Sequence, residues 1–413
     1  MIEKLSQLVS TLGPTTLAAE SQPTYSWWFR NWGATENATH SDTIFMNIWW
    51  ISVGWFVFLM ALMVYFVIRY RRRPGVPAPY SPSHNTSLEV AWTVIPCFFL
   101  TYMFLAGFSG YIEKMVAPGD AIEMNLTAKK WDWTLTYPNG ASSPERTVVG
   151  AAAKTQAGDA TPGARPIPIF YIPGDTSVKL KMVSQDVMHS FWVPDFRIKM
   201  DIFPNRYTTY WFHAKGPDQS SPVLKDSTGK DVTTAQGEKV HYNDHFIFCA
   251  EYCGDQHSEM WGIIRVVPRV YYAAKIEEWN IEGKTPEEIG KLVYQSQGCV
   301  ACHTVDGSKG AAPTWKDLFG NTVPTNAGPT LADENYIRES IYTPNAKIHE
   351  GYPSNMPVFT TAQIDERRMQ GLIAYIKSIS SKAGTAPAAA PAAAAGQSPA
   401  DNKPADTKEA PKK

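Results

Sequence analysis

Two long stretches without a single charged side chain, residues 44–68 and 90–112, constrain this 413-residue chain more than anything else in it. Each is long enough to cross the ~30 Å hydrocarbon layer of a bilayer. Backbone groups in that layer must be satisfied within the segment, which leaves the helix as the available form. Arg69, Arg71, Arg72 and Arg73 close the first stretch, and a Pro-rich loop leads into the second. By the excess of basic residues expected on the cytoplasmic side, this end of the hairpin lies inside. The N-terminus and everything after residue 113 then lie outside. Pro96 predicts a kink in the second helix. Several of the 14 Trp residues sit near the ends of the apolar runs, as in interfacial belts. The run at 5–12 is too short and too interrupted by Ser, Gln and Thr for a secretory leader, with a cleaved signal ending near Ala19 as the alternative.

Downstream, short alternating apolar runs from residue 121 to 267 are separated by Gly, Pro and Asp clusters, which predicts a Greek-key sandwich. The expected strands are 122–127, 131–137, 178–183, 208–213, 245–250 and 261–267. Two polar stretches, 139–168 and 215–239, read as surface excursions. Within the last part of this region stands F-C-A-E-Y-C-G-D-Q-H-S-E-M. It supplies Cys249, Cys253, His257 and Met260. Soft sulfur donors with imidazole select copper over hard cations. Two thiolates can bridge two copper ions with one His closing each end, and the candidate for the second His is His189, in D-V-M-H-S-F-W. A disulfide or a zinc site is the plainer reading of C-x-x-x-C alone.

The five cysteines divide into that pair, the pair in G-C-V-A-C-H, and Cys97, expected as an inert packing residue. The spacing C-x-x-C-H is the attachment sequence of a c-type haem. Cys299 and Cys302 would form the thioethers and His303 would bind iron. Met356, in the turn-rich Y-P-S-N-M-P-V-F, is the expected sixth ligand, because Met/His ligation raises the potential. Met369 is its rival, but 365–378 reads as an amphipathic helix in which a Met belongs to the core. Helices are also expected at 284–297 and 336–342. Residues 269–285 read as a polar linker, helical in part. Beyond Lys382 an Ala/Pro/Lys composition that buries no core reads as a disordered tail.

The motifs C-A-E-Y-C-G-D-Q-H-S-E-M, D-V-M-H-S-F-W-V-P, K-M-D-I-F-P-N-R and K-K-W-D-W-T resemble subunit II of haem–copper cytochrome c oxidases, over about residues 44–268. The resemblance implies a cupredoxin fold and a binuclear CuA centre held by His189, Cys249, the Glu251 carbonyl, Cys253, His257 and Met260. It implies that Trp131 is the exposed point where electrons enter. Asp132 departs from the aromatic usual between the two tryptophans. Asp186 matches an acid used in docking cytochrome c. Glu251 and Asp201 match residues near a magnesium or manganese site at the subunit I boundary.

Glu89, in S-L-E-V-A-W, matches a carboxylate at the mouth of a proton pathway; from charge alone it marks the end of a span. Residues 284–382 resemble a small class I cytochrome c, with Pro313 in the loop that supports the proximal His and Ala312 where Gly is common. The implied organisation is an external N-terminal segment (1–43), a membrane hairpin (44–112), a CuA domain (113–268), a linker (269–283), a cytochrome c domain (284–382) and a tail (383–413).

The function so implied is the electron-input subunit of a terminal respiratory oxidase in a bacterial inner membrane, with both cofactor domains on the periplasmic side. Its partners would be oxidase subunits I and III and an electron donor, either cytochrome c or a quinol-oxidising complex. A net charge of −1 gives no reason to expect nucleic acid. Two other readings stay open, the CuA subunit of a nitric oxide reductase and a membrane-anchored copper-delivery protein. The β-only run to Val267 and Met260 count against the second. A quinol oxidase subunit II lacks these copper ligands.

Overall fold

The computed structural model describes residues 33–77, 80, 82–148 and 166–382. The expected leader and tail lie outside the described residues, as does part of the first excursion. Helices α1 (Glu36–Arg69) and α2 (Thr86–Met115) form the hairpin. Both are long and apolar enough to cross a membrane, and their large side chains, Phe56, Val67, Phe98 and Phe104 among them, are exposed. Cys97, expected to be packed, is also exposed on α2.

Each helix is longer than its apolar run, because the extra turns dock on the domain above. Thr35 caps α1 by accepting from the Ala38 N–H, and Asp42 forms a two-point ion pair with Arg197 at 2.7 and 3.0 Å. Glu113 of α2 meets His40 at 2.5 Å, and its carbonyl accepts from Trp211 Nε1.

That domain is a sandwich, as the alternation predicts. One sheet contains β1 (Ile122–Lys129), β2 (Asp132–Thr136), β5 (Thr176–Ser184) and β8 (Thr208–Ala214), in the order β2-β1-β5-β8. The other contains β3 (Arg146–Val148), β4 (Pro166–Pro173), β6 (His189–Val193), β7 (Ile198–Ile202), β9 (Asn243–Cys249) and β10 (Trp261–Val267), in the order β3-β4-β10-β9-β6-β7. The parallel pairs β1–β5 and β4–β10 are the crossovers that make the sandwich cupredoxin-like. Strand β5 shows the period-two rule directly: Val178, Leu180 and Met182 are buried while Lys179 and Lys181 point out. Burying each such side chain contributes roughly 1.5–3 kcal/mol.

Two expectations change. Residues 166–168 belong to β4 rather than to an excursion. Its three prolines disguise a strand, since each removes a ladder donor. The linker is also not free. Helix α3 (Arg269–Glu278) buries Tyr272 and is followed by buried Trp279, which packs edge-on against Tyr171 at 5.4 Å.

The C-terminal domain is helical. Thr285 and Glu288 form a capping box at the start of α4 (Pro286–Ser296), and Asp333 and Asp365 cap α5 (Glu334–Tyr342) and α6 (Glu366–Ser378). Helices α4 and α6 cross where Gly290 meets Gly371; a Cβ on Gly290 would strike the Gly371 carbonyl. That close crossing brings Ile289, Val293, Leu372 and Ile376 into one buried core.

Candidate functional site

The copper-type site lies where β6 and β9 end side by side. Pairing of Phe191 with Cys249 sets the register that places His189 beside the loop after β9. The loop then turns back through His257 and Met260 into β10. Cys249 Sγ and Cys253 Sγ stand 3.8 Å apart, far beyond the ~2.05 Å of a disulfide. His189 Nδ1 is 3.8 Å from Cys249 Sγ, and His257 Nδ1 is 3.5 Å from Cys253 Sγ. The Glu251 carbonyl lies 3.2 Å from Cys249 Sγ, and Met260 Sδ lies 3.8 Å from Cys253 Sγ. All six residues singled out in the sequence therefore converge. The ligand atoms of His189, Cys249 and Cys253 lie within 4.8 Å of one another.

Electrostatics suit a cation. The Cys253 thiol donates to Cys249, which pulls the Cys249 thiol down to about 3 against the opposing effect of burial, with His189 helping. The same bond and burial push the Cys253 thiol up. Asp186 Oδ1 holds His189 Nε2 at 2.9 Å and leaves Nδ1 facing the sulfurs. Burial works against a charged His189, but the Asp186 and Cys249 contacts outweigh it and raise the imidazole. Asp186 also accepts from the Lys130 and Val187 N–H groups. Its carboxylate is turned inward rather than presented to a partner.

Trp131 departs from the expected exposure. It is 8% exposed and donates through Nε1 to the Cys253 carbonyl at 3.1 Å. Trp133 is fully buried, with its ring 6.2 Å from His189. The helical domain covers Trp131. One cavity is lined by Trp131, Lys130 and Asp132 from the copper-type domain and by Cys299, Cys302 and His303 from the helical one. An adjoining cavity shares His303, Trp315, Ile341 and Met356 with it.

His303 Nδ1 donates to the Pro313 carbonyl at 2.7 Å, which fixes the ring and leaves Nε2 for a ligand. Burial lowers the His303 imidazole, opposed by that bond. Met356 borders both cavities, whereas Met369 is wholly buried in the core of α6. The donor set and the apolar walls fit a covalently attached haem. The two thiols, two imidazoles, thioether and carbonyl fit copper.

The remaining candidates are apart from this centre. Glu89 lies in the first turn of α2, half-buried, accepting from the Asn85 N–H at 3.1 Å. Asp201 is exposed on β7, and its carbonyl accepts from Thr208 Oγ1.

Sequence reasoning missed Lys129 and Arg146. Lys129 Nζ donates to the Gln297 carbonyl at 2.5 Å. Arg146 bridges Asp132 to the Gln295 carbonyl. Only the departure of Asp132 from the expected aromatic signalled them.

Three family models match the chain in order: cytochrome c oxidase subunit II, transmembrane domain, at residues 28–110; its periplasmic domain at 123–219; and cytochrome c at 287–380. Among curated relatives, cytochrome c oxidase subunit 2 of Alkalihalophilus pseudofirmus is 27% identical over 339 residues, spanning 78% of this chain and 83% of that one. The Mycobacterium bovis protein of the same name is 26% identical over 301 residues, covering 63% and 76%. Among solved structures, the periplasmic domain of subunit II of cytochrome oxidase of Bradyrhizobium japonicum matches 41% of this chain and all of that one, at 21% identity and a TM-score of 0.28.

Proposed function

Because this chain belongs to the cytochrome c oxidase subunit II family and ends in a cytochrome c domain, we propose that it is the electron-input subunit of a terminal respiratory oxidase. It takes electrons from an external donor and delivers them to a haem–copper subunit I that reduces dioxygen to water with proton translocation. Subunit III completes the complex, which sits in a bacterial inner membrane with both cofactor domains on the periplasmic side. A covalent haem c and a binuclear CuA centre supply the one-electron carriers when bound.

The chain's own residues prepare those sites. Cys299 and Cys302 would attach the haem through thioether bonds, and His303 and Met356 would be its iron ligands. The bond from His303 to Pro313 fixes the ring before iron binds. His189, Cys249, Glu251, Cys253, His257 and Met260 hold copper, and Asp186 orients His189. Trp131 takes the role of electron-input residue, in contact through its ring N–H with the backbone of Cys253. Glu89 serves at the mouth of a proton pathway into subunit I, and Glu251 with Asp201 at a magnesium or manganese site on the subunit boundary.

The observation that carries this reading is the shared cavity: the haem-attachment residues and Trp131 line one space, and Trp131 is bonded to the copper loop. Rapid one-electron reduction of the loaded full chain tests it. The haem absorbance should relax together with the copper absorbance, at a rate independent of protein concentration. Relaxation that scales with concentration would mean that electrons pass between chains, and the reading would fail.

A further inference from the structure

We infer that Lys129, Asp132 and Arg146 form a clasp that holds the helical domain over Trp131 and closes that face of the copper domain to outside protein partners. The inference rests on the function proposed above only for what the two faces carry; the clasp itself is a matter of contacts. Arg146 is anchored to Asp132 by two parallel bonds, at 3.1 and 2.7 Å, with both side chains almost wholly buried. Such a fork leaves Nε free to point elsewhere. Here it donates to the Gln295 carbonyl at 2.9 Å. Lys129, 2% exposed, reaches the Gln297 carbonyl at 2.5 Å and lies 4.8 Å above the Phe359 ring.

Gln295 and Gln297 sit at the C-terminal end of α4, where the helix dipole favours cations. Two buried cations of the copper domain thus grip the helix end that runs directly into Cys299. Gly298 completes the fit. It sits at φ +78°, and a Cβ there would strike the Asp132 carboxylate. A further contact, Arg368 to the Gly140 carbonyl at 3.1 Å, joins α6 to the same domain.

The chemistry is specific to an internal partner. A soluble donor protein would have to displace two buried charge-assisted hydrogen bonds, from Lys129 and Arg146 to the helix end, to reach Trp131. Donors of electrons must therefore dock on the outer surface of the helical domain, and the clasp residues are positioning residues for the interface between the two sites.

Hydroxyl-radical footprinting of the haem-loaded full chain tests this, because Trp131 and Trp133 lie two residues apart and report different things. Trp131 packs against the copper loop on one side and faces the docked domain on the other, whereas Trp133 is buried wholly within the sandwich core. In the native chain both should be oxidised slowly relative to exposed Tyr252. In Lys129→Met, which keeps the aliphatic stem, Trp131 oxidation should rise roughly tenfold with release of the domain, while Trp133 stays protected. Gly298→Ala makes the same test from the helical side, and decides it if Lys129→Met exposes Trp133 and so unfolds the sandwich. Trp131 as protected in both variants as in the native chain would overturn the clasp. So would a native Trp131 labelled as fast as Tyr252. Neither outcome depends on copper, whereas failure to bind copper would sink the proposed function and leave the footprint unchanged.

Discussion

His189 can offer Nδ1 to a metal because Asp186 holds Nε2 at 2.9 Å, and Asp186 is itself fixed by the Lys130 and Val187 N–H groups. Asp186→Asn removes the charge that steadies the imidazole while keeping the shape. Partners of this kind commonly change metal affinity by ~10–100-fold. Copper affinity, measured by competition with a chelator, should fall by that order with the haem spectrum unchanged; an unaltered affinity would assign Asp186 to partner docking instead.

In the other site the two methionines separate by environment. Met356 borders the cavities with His303, and Met369 is packed in α6. Met356→His should lower the haem reduction potential, since thioether ligation raises it. Met369→Leu, close in volume, should leave the potential where it is and cost less than ~1.5 kcal/mol in stability. Potentiometric titration of both variants checks the pair.

At the scale of elements, α3 shows how a polar stretch can be structural. Its Lys275 pairs with Glu145 at 3.0 Å, half-enclosed by Tyr271 and Trp279. Burial disfavours the Lys275 charge, but Glu145 outweighs it and raises the ammonium above its usual 10.5. The sign follows by linkage. Stability from this pair is fully present below the unfolded lysine's value and is lost as pH rises through the higher folded one. Melting temperature should therefore fall above pH 10.5, and less steeply in Lys275→Met; equal slopes would deny the pair a role.

The same element marks the limit of what was legible in the sequence. Alternation identified β5 and β8 because one face of each is buried. The amphipathic pattern at 365–378 identified α6. The sulfur and imidazole clusters of the two candidate sites were legible where their residues fall close together in sequence, in C-x-x-x-C-x-x-x-H-x-x-M and C-x-x-C-H. The docking of α3, the Pro-disguised β4 and the burial of Trp131 were not, since each depends on surfaces brought together from distant parts of the chain.

For the whole molecule, the hairpin, the sandwich and the helical domain are joined by packed contacts rather than by a slack tether. A flexible linker would supply an effective concentration on the order of millimolar; the packed α3 and the bonds from Lys129 and Arg146 fix one arrangement instead. The donor atoms at the sandwich end decide whether that arrangement is an electron conduit. Metal analysis and electron paramagnetic resonance of the oxidised full chain test this most directly. The account predicts two coppers per chain, with hyperfine structure from one unpaired electron shared by both. One copper per chain with a four-line pattern, or copper surrendered to a weak chelator, would contradict it.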